Sequence, residues 1–184
     1  MKERPLQSDF RFRVMALEFR LRDLIRPPLK ILQEAGIRDG MTVLDFGCGP
    51  GSFSPAAVRL VGSEGRVCAL DIHPLAIRSL QRAAAKRDIN NIQTMLAGSI
   101  AEIPRESIDV ILLYDVLHDI SDPTPVLAQM RRVLKPEGAL SVSDHHLEDE
   151  ALLAAVTAGR VFMLASRGRW TYRFERTKAS EAAI

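Results

Sequence analysis

Short apolar runs alternate with amphipathic stretches along most of this chain. The apolar runs cover residues 42–45, 66–71, 92–96, 108–113 and 139–143. Runs of this kind are typical of strands in a parallel sheet that is covered on both faces. The stretches between them carry apolar residues at three- and four-residue steps, which predicts helices that cross from one strand to the next. The pattern therefore predicts an α/β fold with a doubly wound, mostly parallel sheet and helices on both faces.

The C-terminal part of the chain departs from this alternation. Residues 160–165 and 169–176 have the character of strands and flank Ser166-Arg167-Gly168, which predicts a β-hairpin. The hairpin would add two antiparallel strands to the five parallel ones and so complete a seven-stranded sheet.

An amphipathic segment precedes the first strand. Over residues 10–26 the apolar side chains recur at helical spacing, at Phe10, Val14, Leu17, Leu21 and Leu24. The spacing predicts a helix that ends at Pro27-Pro28, although strict alternation over residues 10–14 also permits a short strand. The arginines of this segment fit three roles: a solvated face of a helix packed on the core, a lid over an acidic substrate, or contact with anionic lipid.

Composition narrows the class of protein only modestly. The 184 residues suffice for one domain, which we divide into an N-terminal helical cap (1–40), a core (41–176) and a frayed tail (177–184). A formal net charge of +2 is too mild to predict a nucleic-acid partner. Cys48 and Cys68 lack the spacing of a metal knuckle or a redox pair, and no apolar window is long enough to span a bilayer. We therefore predict a cytoplasmic protein, either a monomer or a homodimer.

The turn after the first strand is the densest chemical motif. The strand ends at Asp45, and Gly47, Gly49 and Gly51 follow at alternate positions. Glycines accept positive φ and let a ligand lie against the backbone. The third glycine comes one residue earlier than in the dinucleotide pattern GxGxxG, and Ser52 takes that place. The turn is a candidate cofactor cradle, in which Asp45 can orient a ligand with ammonium or hydroxyl groups.

Polar side chains also follow the later strands. Asp71 ends the second strand, where nucleoside-binding proteins hold the ribose hydroxyls, and its alternative role is a helix N-cap. The central strand leads into Tyr114-Asp115 and His118, and the last parallel strand leads into Asp144-His145-His146. Neighbouring side chains of an extended segment point to opposite faces and cannot all ligate one ion, so we predict no metal site. A polar, helix-capping loop is the favoured interpretation there, and acid–base chemistry or substrate contact is the alternative.

These motifs, in this order, resemble those of the class I S-adenosylmethionine-dependent methyltransferases. The segment Asp45–Gly51 matches their acidic-x-Gly-x-Gly-x-Gly loop, and Leu134-Lys135-Pro136-Glu137-Gly138 is similar to their Leu-Lys-Pro-Gly-Gly connection. Leu117-His118 before an Asp-Pro helix start resembles the small-molecule enzymes of the ubiquinone/menaquinone and sterol type. The Asn/Asp-Pro-Pro-Tyr/Phe tetrapeptide of enzymes that methylate DNA bases or protein glutamine is absent. The resemblance covers residues 41–175 and implies a Rossmann-like fold.

The resemblance implies transfer of a methyl group from S-adenosylmethionine to a small-molecule acceptor by in-line displacement, with S-adenosylhomocysteine as the product. It implies that the cofactor contacts Asp45, Gly47, Gly49, Gly51, Asp71, Ile72, Ser99, Ile100, Tyr114 and Asp115. Ser99 stands where the family usually has an aspartate that accepts from the adenine amino group, and Ile100 would cover the ring. His118 is the first candidate for a general base because imidazole titrates near neutral pH, and His145 is the second.

Other functions stay open at this level. The chain can be an S-adenosylmethionine-binding module without transferase activity, which the neutral Ser99 would suit, or a methyltransferase that acts on a protein side chain or a lipid. A nucleotide-dependent oxidoreductase is disfavoured by the glycine spacing and by the lack of a second domain. We predict no nucleic-acid partner and no transmembrane segment, while the N-terminal helix leaves peripheral membrane contact open.

Overall fold

A computed structural model gives the architecture of the chain. It describes residues 27–96 and 99–177, without the side chain of residue 99. The predicted helix over residues 10–26, the tail beyond residue 177 and the contact expected from the Ser99 side chain lie outside the described residues.

The described residues form five helices around a seven-stranded sheet. In chain order, the helices are α1 (Pro28–Glu34), α2 (Ser54–Val61), α3 (Pro74–Lys86), α4 (Thr124–Val133) and α5 (Asp149–Thr157). The strands are β1 (Thr42–Phe46), β2 (Arg66–Asp71), β3 (Ile92–Leu96), β4 (Ile108–Tyr114), β5 (Leu134–Ser143), β6 (Phe162–Arg167) and β7 (Tyr172–Arg176). Short 3-10 turns follow β3 and β4, at Ser99–Glu102 and Leu117–Asp119. None of the helices described is long and apolar enough to cross a membrane.

The order of the strands places the ends of β1 and β4 side by side. The order across the sheet is β3-β2-β1-β4-β5-β7-β6, with β1 to β5 parallel and β7 antiparallel to both of its neighbours. After β1 the chain forms β2 and β3 on one side of that strand, and it then returns to form β4 and β5 on the other side. In open α/β sheets, ligands bind beyond the carboxyl ends of the strands at such a switch point. The predicted α/β fold class, with its C-terminal antiparallel hairpin, is confirmed.

The central strand shows why the sheet is covered on both faces. Successive side chains of β4 point to opposite faces, and alternate residues enter different apolar clusters. Ile111 and Leu113 pack with α4, α5 and the hairpin, whereas Val110 and Leu112 pack with α1 and α2. This arrangement fixes the plane of the sheet and the position of the strand ends that carry the site.

The sequence prediction for β5 was too short. The strand begins at Leu134, which pairs with Ile108, and the register then shifts so that Ala139 pairs with Val110. The residues between them form a bulge, and Lys135 Nζ contacts Asp109 Oδ1 at 2.7 Å. The Leu-Lys-Pro motif is therefore the irregular start of β5, because Leu134 already pairs with β4 ahead of the bulge.

The hairpin turn also lies farther along the chain than predicted. Strand β6 extends through Arg167, and the turn runs over residues 168–171, where the Gly168 N–H donates to the Thr171 carbonyl at 2.8 Å. The side chain of Glu34 on α1 accepts hydrogen bonds from this turn. A contact between such distant parts of the chain leaves no local signal in the sequence.

Candidate functional site

The glycine loop after β1 adopts backbone angles that favour glycine. Gly47, Gly49 and Gly51 have φ values of +79°, +52° and +97°. A Cβ atom at Gly47 would collide with the Cγ2 atom of Val116, and one at Gly51 would come within 3.0 Å of Leu80 Cδ1. The loop is therefore a cradle whose shape depends on the absence of side chains.

The N–H groups of residues 47–51 all donate to acceptors inside the protein, apart from Pro50, which has none. The N–H groups of Gly47 and Cys48 both donate to the Leu70 carbonyl, at 2.7 and 3.0 Å, and that of Gly51 donates to the Cys48 carbonyl at 3.1 Å. The Gly49 N–H donates to Asp71 Oδ2 at 2.8 Å. A pyrophosphate needs such amides for itself, so this loop is poorly suited to a dinucleotide.

Asp71 links the glycine loop to the start of α3. Besides the bond from Gly49, its Oδ1 atom accepts the His73 N–H at 2.7 Å, while His73 itself caps the helix. Burial raises the pKa of Asp71, although its hydrogen bonds act in the opposite direction. Each carboxylate oxygen keeps a second lone pair for a hydroxyl donor. Ile72, directly after it, is 66% exposed.

Asp45 is a second carboxyl group beside the loop. It is only 2% exposed, and its Oδ2 atom accepts from the Ser54 hydroxyl at 2.5 Å. Burial, together with the charge of Asp71, raises the pKa of Asp45 to about 6, against the lowering effect of the Ser54 hydrogen bond. Two acidic groups so placed attract a cation or hydroxyl donors and repel an anion.

The other cofactor residues predicted from the sequence take different positions. Ile100 packs against the main apolar cluster, and its carbonyl accepts from Arg132 Nη2 at 2.7 Å. The Tyr114 hydroxyl shares a hydrogen bond with Ser141 Oγ at 2.8 Å, and its ring meets Phe53 edge-on with 4.8 Å between centroids. Burial raises the pKa of Tyr114, so its hydroxyl stays neutral. These interactions of Ile100 and Tyr114 are contacts within the protein and do not by themselves indicate a bound ligand.

Two histidine–aspartate pairs lie where β4 and β5 end. His118 Nδ1 lies 2.9 Å from Asp144 Oδ2, and His145 Nδ1 lies 2.7 Å from Asp115 Oδ1. The His146 ring lies between the two histidines, with centroid distances of 4.2 Å to His118 and 3.9 Å to His145. The structure thus brings together both candidate bases, which are separated by many residues in the sequence.

The two aspartates of these pairs are held differently. Burial alone would raise the pKa of Asp144, but hydrogen bonds from the His118 ring and from the His118 and His146 N–H groups outweigh it and lower the pKa. Asp115 has a φ of +54°, a strained value for a residue other than glycine. It also accepts the His145 N–H at 3.2 Å.

A cavity of about 590 Å³ opens beside the second pair. Its walls come from α1, β4, β5, α5 and the hairpin turn, and include Phe53, Tyr114, Asp115, His145, Asp149, Arg169, Trp170 and Tyr172. His145 and Asp115 line this cavity, whereas His118 does not. The Tyr172 hydroxyl is buried, and none of the described residues makes a hydrogen bond of normal geometry with it. Burial raises the pKa of Tyr172, and the nearby Asp149 carboxylate raises it further.

Several wall residues carry no motif that a sequence search could use. Trp170 and Tyr172 lie in the hairpin, and Phe53 precedes α2, so only the fold brings them to one cavity. Aromatic side chains in a hairpin are a weak signal, because most of them serve packing. Within residues 27–96 and 99–177, no cluster of three or more His, Cys, Asp or Glu side chains is arranged to hold a metal ion.

The glycine loop, Asp71 and the order of the strands define a domain of the S-adenosylmethionine-dependent methyltransferase class. The chain belongs to the family described as "Methyltransferase domain", which matches residues 37–177. A solved structure described as a SAM dependent methyltransferase from Aquifex aeolicus has the same fold, with a TM-score of 0.72 and 22% identity over 83% of this chain and 90% of that chain. The family predicted from the motifs is confirmed.

The curated relatives are larger than this chain. The ubiquinone/menaquinone biosynthesis C-methyltransferase UbiE of Marinomonas sp. is 32% identical over 127 residues, 68% of this chain and 51% of that protein. An arsenite methyltransferase of Halobacterium salinarum is 33% identical over 112 residues, 60% of this chain and 28% of that protein. The chain therefore spans about half of the first relative and less of the second.

We expect Gly47→Ala to destabilise the protein more than Gly40→Ala does. Both glycines have positive φ, +79° and +77°, so each alanine incurs a similar strain of about 1–2 kcal/mol. Only the alanine at position 47 also collides with Val116, since nothing lies within 4 Å of a Cβ atom at Gly40. Urea unfolding should show an additional loss of about 1 kcal/mol or more. Equal losses would mean that the loop moves away from Val116 without cost.

Proposed function

We propose that this chain binds S-adenosylmethionine and transfers its methyl group to a small-molecule acceptor. The division into a helical cap (1–40), a core (41–176) and a tail (177–184) is part of this proposal. The relatives named as a ubiquinone/menaquinone biosynthesis C-methyltransferase and as an arsenite methyltransferase support a small acceptor.

One observation carries the choice of ligand: the loop amides are satisfied internally, and two buried carboxyl groups flank the loop. A ligand with a phosphate group would meet Asp45 and Asp71 instead of free N–H groups. A ligand with hydroxyls and an ammonium group has the opposite, complementary chemistry. The site favours a nucleoside that is linked to an amino acid over a dinucleotide.

The residues divide the ligand between them. Asp71 would accept the ribose hydroxyls, and the exposed Ile72 would pack on one face of the adenine. Asp45 and the glycine loop would hold the amino-acid end, near Tyr114 and Asp115. When bound, S-adenosylmethionine supplies a methyl group on a positively charged sulfur, which is already activated for transfer. The chain has to exclude water and hold the acceptor in line.

The acceptor would occupy the 590 Å³ cavity at the ends of β4 and β5. This volume lies within the range of small-molecule sites, roughly 300–1,000 Å³. Aromatic walls at Phe53, Trp170 and Tyr172 favour a planar acceptor, and the buried Tyr172 hydroxyl offers it a hydrogen bond. An S-adenosylmethionine-binding module without transfer, and a protein or lipid acceptor, remain the alternatives.

Calorimetric titration with S-adenosylhomocysteine tests the cofactor site. We expect binding by the wild type, and Asp71→Asn should weaken it by at least about tenfold, or 1.4 kcal/mol, because an amide has one acceptor oxygen instead of two. Asp88→Asn, an exposed aspartate on the turn after α3, is the matched control and should bind normally.

The same titration separates the proposal from its rivals. NAD should not bind, since the loop amides are occupied. Binding of NAD with similar affinity, or no binding of S-adenosylhomocysteine by the wild type, would contradict the proposed ligand. Binding without transfer of the radiolabelled methyl group to any small acceptor would favour the binding module.

A further inference from the structure

We propose that His145 is the catalytic base, with Asp115 as its positioning residue, and that the acceptor carries a hydroxyl or thiol proton which His145 removes. This inference rests on the proposed function, because it assigns a role in the same transfer reaction. It reverses the order of the two candidates that the sequence suggested, in which His118 came first.

The contact with Asp115 determines which ring nitrogen of His145 can accept a proton. Nδ1 of His145 lies 2.7 Å from Asp115 Oδ1, so the neutral ring donates its Nδ1–H to the carboxylate. The unprotonated Nε2 atom then has a lone pair and no partner among the described residues. His145 lines the cavity, and in this proposal the lone pair takes the proton of an acceptor held there.

Asp115 holds His145 by two hydrogen bonds. One carboxylate oxygen, Oδ1, accepts both the backbone N–H and the ring N–H of His145, at 3.2 and 2.7 Å. The φ of Asp115 is +54°, a left-handed value that aspartate adopts more often than most residues other than glycine. The pair is thereby fixed where β4 and β5 end, and β4 is the neighbour of β1, the strand that leads into the glycine loop.

His118 is less suited to the same task. Its Nδ1 atom faces the buried Asp144, and its Nε2 atom lies 3.5 Å from Asp119 Oδ2. Both ring nitrogens thus face carboxylates, and the residue does not line the cavity. With the His118 and His146 N–H groups both donating to Asp144, this pair ties the 3-10 turn after β4 to the end of β5.

Other charged groups face the His145 pair and enter any pH dependence. They are Asp144 and His146 on the same loop, Asp149 at the start of α5, His118 on the 3-10 turn, and Arg167 and Arg169 on the hairpin. Arg167 is paired with Asp149, and Arg169 lies over the Trp170 ring at 4.8 Å. The pH test therefore has to compare variants in which only the proposed pair changes.

The transfer step balances with these groups. The acceptor O–H or S–H proton passes to Nε2 of His145, and the electron pair left on oxygen or sulfur forms the new bond to the methyl carbon. The bond between that carbon and the donor sulfur breaks, and its electron pair stays on the sulfur, which becomes a neutral thioether. The imidazolium then releases its proton to solvent. No oxidant or reductant is required.

The first test reads the histidine ring directly and needs no acceptor. Nitrogen-15 NMR of the full chain, with the His145 signals assigned from His145→Gln, reports which ring nitrogen holds the proton. We expect the Nδ1–H form in the wild type and a mixture of forms in Asp115→Asn. A His145 ring that is protonated at Nε2 in its neutral state would overturn the proposal, because it has no lone pair to offer the cavity.

The second test uses two bicyclic probe acceptors and radiolabelled S-adenosylmethionine. Methylation of 2-naphthol requires loss of a proton, whereas the ring nitrogen of quinoline can be methylated without a base. His145→Gln should slow 2-naphthol methylation by about 100-fold and flatten the dependence of its rate on pH. Quinoline methylation should change little. Glu150→Gln, an exposed residue on α5, is the control for both probes.

The outcomes separate this inference from the proposed function. Failure to bind S-adenosylhomocysteine would remove the proposed function itself. With that binding intact, the inference is wrong if His145→Gln retains the wild-type rate on 2-naphthol, if His118→Gln instead causes the loss, or if the wild type methylates quinoline alone or neither probe. A loss on 2-naphthol confined to His145 and Asp115 variants, with an intact fold, supports it.

Discussion

Asp45→Asn should stabilise the folded protein at pH 8 and weaken its binding of S-adenosylhomocysteine. Burial raises the pKa of Asp45 from 3.8 to about 6. In the unfolded chain this carboxyl group loses its proton at lower pH than in the folded protein, so the folded state binds more protons between these values. The free energy of unfolding therefore falls as the pH rises from about 4 to about 6 and stays lower above it.

The size of this effect follows from the difference in pKa. A pKa difference of about two corresponds to about 3 kcal/mol in the free energy of unfolding. Asp45→Asn should be more stable than the wild type by about this amount at pH 8 and by very little near pH 4. Urea unfolding of both proteins across this range gives the difference in the free energy of unfolding as a function of pH. The shifts at Asp71 and Asp144 largely cancel in that difference, because both groups are present in both proteins. Parallel curves would contradict the prediction.

Ser54→Ala provides a matched comparison. The Ser54 hydroxyl donates to Asp45 and lowers its pKa, so its removal should raise that pKa further and move the fall in stability to higher pH. In the wild-type protein, ionisation of the buried Asp45 carboxyl group therefore lowers the free energy of unfolding. Such a cost is expected where a buried charge serves a cationic ligand, since stability and function compete at these positions.

The sequence was sufficient to predict the strands and the parts of the candidate site that depend on local geometry. The apolar runs gave the strands β1 to β4, because a strand buried on both faces has no room for polar residues. Gly47 and Asp71 could be picked out as candidate site residues because they lie at the ends of predicted strands. The use of the loop amides could not be predicted, since it depends on the Leu70 carbonyl of a neighbouring strand.

The choice between the two histidines required the three-dimensional structure. His118 and His145 both follow strand ends, and nothing in the sequence distinguishes their partners. The structure pairs each with an aspartate from the neighbouring strand end and leaves only His145 on the cavity. The start of β5 at Leu134 was missed for a similar reason, because a bulge is defined by the strand it pairs with.

Glu34→Ala should destabilise the protein by about 3 kcal/mol, because its carboxylate holds the hairpin turn. It accepts the N–H groups of Arg169, Trp170 and Thr171 at 3.0–3.1 Å and the Thr171 hydroxyl at 3.1 Å. Removal of the carboxylate leaves these donors without their partner. Gln33→Ala, an exposed neighbour on the same helix, is the control and should cost far less.

The effect of Glu34 should extend to the proposed acceptor cavity, because the turn forms one of its walls. Trp170 is the only tryptophan of the chain, so its fluorescence reports on this wall alone. In Glu34→Ala we expect a shift to longer wavelength under native conditions and faster hydrogen exchange at the Trp170 and Thr171 amides. If Glu34→Ala and Gln33→Ala are alike in stability, fluorescence and exchange, the turn keeps its shape without the carboxylate. If they differ, a residue of α1 controls the shape of a cavity built largely from the C-terminal half of the chain.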